Sequence, residues 1–277
     1  IEIKTRYLDD PGGTLLEIRD FGGGMNRDII DTKLTRLFAS DKENDLTKIG
    51  KFGIGFVSVF SLKPELVTVD TGRDGEYWRI AFDGGTDFAL FSLHEPIEGT
   101  SVRLYKLMPF EDYDPFVERA QATLRQWCRH SAINISFNGE IINCDLVVES
   151  AVRIDVTSPL GRFNVGVCPG QPYAYGLYNS GLTLMEGSQE TAPGVTYKIL
   201  SNHLEHTLTR DAVIKDENYA KVVTTLEGLI KDELFSAVVR ALRNPETRES
   251  AAEQARPYLG WRTSKLRPDT SSMAVTS

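Results

Sequence analysis

The sequence predicts an α+β protein. Its first part is an antiparallel sheet with helices on one face, and a second α+β domain follows. Three observations predict this. Short β-like runs recur from residue 1 to residue 105 with turn residues between them. Helical periodicity stands at 113–129 and again at 216–242. The strand pattern also restarts after residue 150. A chain of 277 residues has room for one large domain or two ordinary ones.

Residues 1–8, IEIKTRYL, alternate and are rich in β-branched side chains. Leu15–Arg19 is similar, and Pro11-Gly12-Gly13 lies between them, so the pair reads as a hairpin. Asp20 ends the second strand and Gly22-Gly23-Gly24 follows at once. Over 26–39, Ile29, Ile30, Leu34, Leu37 and Phe38 have the spacing of an amphipathic helix. The polar stretch 40–48 is expected to be a mobile loop, and Gly50 to Gly55 opens an apolar run, 56–60, expected to start a buried helix.

Runs at 66–70, 76–82, 87–93 and 100–105 read as strands. Their hairpin links are Gly72 to Gly75, Gly84-Gly85, and Pro96 to Gly99. Phe116, Ala120, Leu124 and Trp127 place a helix at 113–129. Asn138-Gly139 between ISF and EII is a hairpin signal. Further strands are expected at 151–157, 162–168, 173–178, 181–185 and 194–200. Val222, Leu226, Leu229, Ile230, Leu234 and Val238 mark a helix over 216–242 that packs on the second sheet. From Pro245 the chain turns polar. The domains are therefore expected at 1–148 and 149–244, with 245–277 a loose tail or the start of a further region.

Composition narrows the function. With 41% apolar and 25% charged residues, whole-chain disorder is excluded. No apolar run approaches the ~18–20 residues that cross a bilayer, so no membrane partner is expected. The net charge is −8, with 39 acidic residues against 31 basic, which argues against a general nucleic-acid binder. The 3 cysteines, Cys128, Cys144 and Cys168, fit neither a disulfide framework nor a zinc knuckle. A reducing cytoplasmic setting is the expectation. The chain reads straight from Ile1 into a strand, and so is expected to be a fragment of something longer.

Two glycine boxes carry the chemistry. The first is Asp20-Phe21-Gly22-Gly23-Gly24-Met25, of the form D-x-G-x-G. By itself it also fits a glycine-rich turn after a strand. The second, Gly50-Lys51-Phe52-Gly53-Ile54-Gly55-Phe56, is more specific. Its glycines remove Cβ atoms where backbone must approach something closely, at the start of an expected helix whose N–H groups favour phosphate. Glu98-Gly99-Thr100-Ser101-Val102 follows, entering a strand.

In this order the three pieces resemble the GHKL family of ATP-binding proteins, over roughly residues 1–145. The G-x-F-G-x-G-F box and Met25 look most like its heat-shock protein 90 branch. The resemblance implies the Bergerat fold, an antiparallel sheet covered on one face by helices, with ATP and Mg²⁺ held on the helix side. Asp20 would accept a hydrogen bond from the adenine amino group, where guanine offers no donor. Gly22 and Gly24, with Met25 beside them, would let backbone lie against the base. Gly50, Phe52, Gly53, Gly55 and Phe56 would form the phosphate cradle. Thr100 would back Asp20, and residues 31–49 would be a lid over the nucleotide.

The same resemblance implies a preceding helix with a water-activating glutamate and a magnesium-binding asparagine. The sequence from Ile1 holds neither, so the general base is not in this chain and no residue of it is assigned to metal. As given, the chain should be hydrolytically crippled. In the second domain, Leu204 to Asp211 resembles the arginine loop of the heat-shock protein 90 middle domain. That makes Arg210 the γ-phosphate contact, an arginine suiting the task through its planar fork. Ile214 stands where the family has glutamine. His203-x-x-His206 has no third ligand at a useful spacing. Tyr173, Tyr175 and Tyr178 read as sheet packing.

The implied function is an ATP-binding and ATP-hydrolysing machine that couples lid closure to domain movement in protein folding or remodelling. Its partners would be protein clients or co-chaperones, and a homodimer through a region beyond this sequence. The alternatives are a DNA-processing ATPase of the MutL or topoisomerase type, and a regulatory nucleotide-binding module without turnover. A histidine kinase domain is disfavoured by the second box.

Overall fold

The computed structural model describes residues 1–34, 56–83, 87–171, 174–207 and 212–266. The chain divides into two compact units, Ile1–Cys144 and Asp145–Ser277. Both are mixed α+β.

The first unit holds an 8-stranded, almost wholly antiparallel sheet. Its strands are β1 (Glu2–Leu8), β2 (Gly13–Asp20), β3 (Leu66–Arg73), β4 (Glu76–Phe82), β5 (Phe88–Ser92), β6 (Thr100–Leu107), β7 (Ser136–Phe137) and β8 (Glu140–Ile141). They lie in the order β5-β4-β3-β6-β2-β1-β7-β8. The β1–β2 and β3–β4 hairpins match the alternating runs, and Asn138 (φ 49°) with Gly139 (φ 91°) makes the β7–β8 turn. Pro96 to Gly99 is not a hairpin link. β5 is an edge strand, and the chain crosses from it to set β6 between β3 and β2. That pairing joins distant residues, which no local turn signal announces.

Alternation gives this sheet one apolar face. Val67, Val69, Ile80, Phe82 and Leu104 are buried there with Ile30, and Leu16, Met25, Phe56, Val59, Phe60 and Val102 pack against them. Farther along, Ile3 and Phe137 pack with Val117, Ala120 and Leu124 of α2 (Tyr113–Trp127) and with Cys128, which caps its C-terminus. Their spacing makes one helical stripe. Trp127 was expected in that stripe, but it is exposed.

The helical reading of 26–39 is realised as α1 (Arg27–Ile29) and a π-type turn, Ile30–Leu34. Residues 35–39 lie outside the described residues, as does the expected loop at 40–48. The run from Phe56 forms a 3₁₀ helix, Val57–Leu62, instead of a buried α-helix. Lys63 in the left-handed region ends it, and Leu62 is exposed.

The second unit holds a 5-stranded sheet of order β12-β11-β13-β10-β9. Its strands are β9 (Arg153–Ser158), β10 (Gly161–Val167), β11 (Tyr175–Asn179), β12 (Leu182–Gly187) and β13 (Val195–Leu200). A near-continuous helical rod covers it, made of α3 (Glu217–Gly228), a π-type turn (Leu229–Glu233) and α4 (Leu234–Arg243). Val222, Leu226, Ile230, Leu234 and Val238 face the core with Phe163, Val165, Val195 and Ile199. Of the two readings of 245–277, a loose tail or the start of a further region, the first does not hold for residues 248–266. They form α5 (Arg248–Leu266), whose Ala251, Ala255 and Tyr258 are fully buried in the same core. Tyr178 is likewise buried and donates to Glu186, while Tyr175 stacks on Tyr197.

Candidate functional site

Antiparallel register builds a row of polar side chains across three central strands. Asp20, the last residue of β2, pairs with Thr100, the first of β6. Thr100 in turn pairs with Thr71 of β3. Strand alternation puts all three on the face that carries Val69, Val102 and Ile18, the face the helical elements cover. The polar row therefore stands at the edge of an apolar core.

Three backbone segments meet at this row, and glycines let them meet. A Cβ on Gly24 would lie 1.9 Å from the Gly72 carbonyl oxygen, and its φ is +60°. One on Gly99 (φ +72°) would stand 2.1 Å from the Asp20 carbonyl oxygen. Gly24 and Gly99 thus serve the fold. Gly22 and Gly23 have looser surroundings. Gly22 would meet only the Asp20 carboxylate, at 2.9 Å, and Gly23 has nothing nearer than the Arg73 guanidinium at 3.9 Å. The Asp20 carboxylate accepts from the Gly22 N–H at 2.8 Å, which turns the chain out of β2.

The loop is then fastened. The Met25 N–H donates to Thr71 Oγ1 at 2.9 Å, and the Met25 side chain packs on the core. Asn26 caps α1 by accepting from the Ile29 N–H at 3.1 Å, and its amide donates to Asp74 at 3.0 Å. The Glu76 carboxylate accepts from the Arg27 N–H and from the Trp78 indole. These contacts, the backbone one foremost, hold its carboxyl below the ordinary value. The β3–β4 hairpin thus grips the start of α1.

On the sheet's opposite face, Asp70 accepts from Arg79 (2.6 and 2.7 Å) and from Arg103 (2.6 Å). Glu17 accepts from Ser101 and Arg103. Burial alone would raise the Asp70 carboxyl, but the Arg79 and Arg103 hydrogen bonds and charges outweigh it and hold it below the usual carboxylate range. Glu17 is lowered in the same way, burial being outweighed by Ser101 and Arg103.

Of the residues singled out from sequence, the structure brings together Asp20, Gly22, Gly24, Met25 and Thr100. Phe56 packs against Phe60 (6.0 Å between centroids) and Phe82 (5.4 Å), in the core. Gly50, Phe52, Gly53, Gly55 and Arg210 lie outside the described residues, as does Tyr173. On either side of Arg210, the described residues 205–207 and 212–214 pair antiparallel. Thr71 went unnoticed in the sequence. Its signal was a threonine at the inward position of an otherwise apolar alternation, V-T-V-D-T. His203 and His206 are spent on backbone carbonyls, and among the described residues no group of three metal-ligating side chains occurs. No helix among the described residues is long and apolar enough to cross a membrane.

What this corner offers chemically is two acceptor-capable side chains, a carboxylate and a hydroxyl. Beside them runs a Cβ-free stretch at Gly22-Gly23. A flat group bearing N–H donors fits those features.

No family model matches the chain. Three curated relatives are chaperone proteins HtpG. That of Anaplasma phagocytophilum (strain HZ) is 38% identical over 119 residues, covering 37% of this chain and 18% of the relative. That of Paramagnetospirillum magneticum is 28% identical over 148 residues, 49% of this chain and 23% of the relative. That of Chromobacterium violaceum is 28% identical over 165 residues, 52% of this chain and 26% of the relative. The chain thus spans between 18% and 26% of the length of these relatives, and over as much as half of its own length it is similar to bacterial proteins named as chaperones.

Proposed function

We propose that the first unit is a Bergerat-type ATP-binding domain of a heat-shock protein 90-like chaperone. The observation that carries this is the Asp20–Thr100 pair at the sheet end, on the helix-covered face, beside the Gly22-Gly23 stretch. The likeness to chaperone proteins HtpG supports the same class.

Asp20 accepts from the adenine amino group, and Thr100 stands behind it. Gly22 admits the base edge without a Cβ in the way, whereas Gly24 keeps the loop folded against β3. Gly50, Gly53 and Gly55, with Phe52 between them, cradle the phosphates through backbone N–H groups, an arrangement suited to anions. Bound Mg²⁺ supplies charge neutralisation at those phosphates. Residues 31–49 close over the nucleotide, and Arg210 reads its γ-phosphate. Closure matters only insofar as ATP binds the closed state better than the open one. In the whole protein, hydrolysis would reset that movement, and protein clients would feel it.

The test is thermal unfolding with ATP and Mg²⁺, against GTP and Mg²⁺. A ligand at 100 times its dissociation constant stabilises by about 2.7 kcal/mol. ATP raises the melting midpoint and GTP leaves it in place. Equal shifts with both nucleotides, or none with either, would sink the proposal.

A further inference from the structure

Thr71 is fully buried beside the polar row, and its hydroxyl has one proton for two neighbours. The Met25 N–H donates to its Oγ1, so one lone pair is committed. The Gly99 carbonyl oxygen stands 3.1 Å from the same atom, and Thr100 Oγ1 also 3.1 Å. A carbonyl only accepts, whereas the Thr100 hydroxyl works either way. Gly99 is buried, and a buried carbonyl without a donor is costly. One arrangement satisfies every group. The Thr71 proton goes to Gly99, the Thr100 proton goes to Thr71, and the lone pairs of Thr100 remain for whatever lies beside Asp20.

We infer that Thr71 is a positioning residue that fixes Thr100 as an acceptor, so that Thr100 and Asp20 together select a ligand group carrying two N–H donors, an exocyclic amine. A ring carbonyl in the same place meets two acceptors and is turned away. The inference rests on reading this corner as a purine-base site, and it supplies that reading with its selectivity.

The experiment compares ATP with purine riboside triphosphate, which lacks the 6-amino group, by titration of the 277-residue chain. Wild type, Thr71→Val and Thr71→Ser are measured. The wild type prefers ATP. Thr71→Val loses about tenfold of that preference, the weight of one hydrogen bond. Thr71→Ser, which keeps the hydroxyl, retains it. A folded Thr71→Val with the wild-type preference overturns the inference and leaves the base-site reading standing. A wild type that binds neither nucleotide overturns both. A second measurement needs no variant: amide exchange at Met25 is slow in the free chain and slower with ATP. Exchange at the unprotected rate with ATP bound overturns the inference independently.

Discussion

Alanine at each position of the triple glycine separates the glycines the fold needs from those a ligand needs. At Gly24 the new Cβ would stand 1.9 Å from the Gly72 carbonyl oxygen, where ordinary contact begins at 3.4 Å. The oxygen must retreat about 1.5 Å, the difference of those two distances. Gly72 has little room to do so. It is paired with Tyr77 in β4, and its own Cβ position is already crowded by the Ile97 carbonyl and the Tyr77 ring. Overpacking of this kind costs about 1–3 kcal/mol. A left-handed φ of +60° adds roughly 1–2 kcal/mol for an L side chain. Gly24→Ala should therefore lose about 2–5 kcal/mol, a fall in melting midpoint of roughly 4–20 °C at about 2–4 °C per kcal/mol. Gly23→Ala meets nothing closer than 3.9 Å and should stay within about 0.5 kcal/mol of wild type. Gly22→Ala meets only a carboxylate end that can rotate, and should unfold near the wild-type temperature while losing ATP affinity. Calorimetric unfolding and nucleotide titration of the three variants give both readouts. A Gly24→Ala protein as stable as wild type, or a Gly23→Ala protein as damaged as Gly24→Ala, would refute this reasoning.

Acid should weaken the first unit through Asp70 and Glu17. Both carboxyls are lowered in the folded state, so their contribution is present above the unfolded carboxylate pKa of about 4 and is lost as pH falls through the lower folded values. Chemical denaturation across pH 2–6 should show this fall flattened in Asp70→Asn, and an unchanged slope would count against the Arg79–Asp70–Arg103 bridge. In the second unit, Tyr258→Ala should cost about 3–5 kcal/mol, because it removes a fully buried ring from the core and the hydroxyl that donates to the Ile230 carbonyl. A loss below about 1 kcal/mol in urea unfolding would contradict the packing of α5 in that core. Burial pushes the Cys128 thiol up, whereas Cys144 is exposed, so Cys144 should alkylate well before Cys128 when the modified peptides are weighed. The reverse order would contradict the packing of Cys128, at the C-terminal cap of α2, on the Ile3–Phe137 cluster.

The strands were legible because alternation is a local property, and β3, β4 and β10 lie on the runs read from it. Their neighbours were not legible, since setting β6 between β3 and β2 depends on contacts between residues far apart in sequence. Asp20 and Thr100 stood out individually, but nothing local says that they pair. Thr71 was hidden for the same reason. Its role exists only where β3, the Gly24 loop and the Gly99 turn converge. α5 escaped notice on other grounds. Its buried stripe is Ala251, Ala255 and Tyr258, two of them small, with Pro257 in the run, so the apolar signal is faint even though the packing is complete. The π-type turn between α3 and α4 left no mark either, because the apolar spacing runs through it.

The most direct measurement is calorimetric titration of the 277-residue chain with ATP and Mg²⁺, repeated on Asp20→Asn. Saturable ATP binding by the wild type, abolished in a folded Asp20→Asn and absent with GTP, is the expected result. ATP binding that survives in Asp20→Asn, or a folded wild type that binds no ATP, would contradict an adenine site at the end of β2.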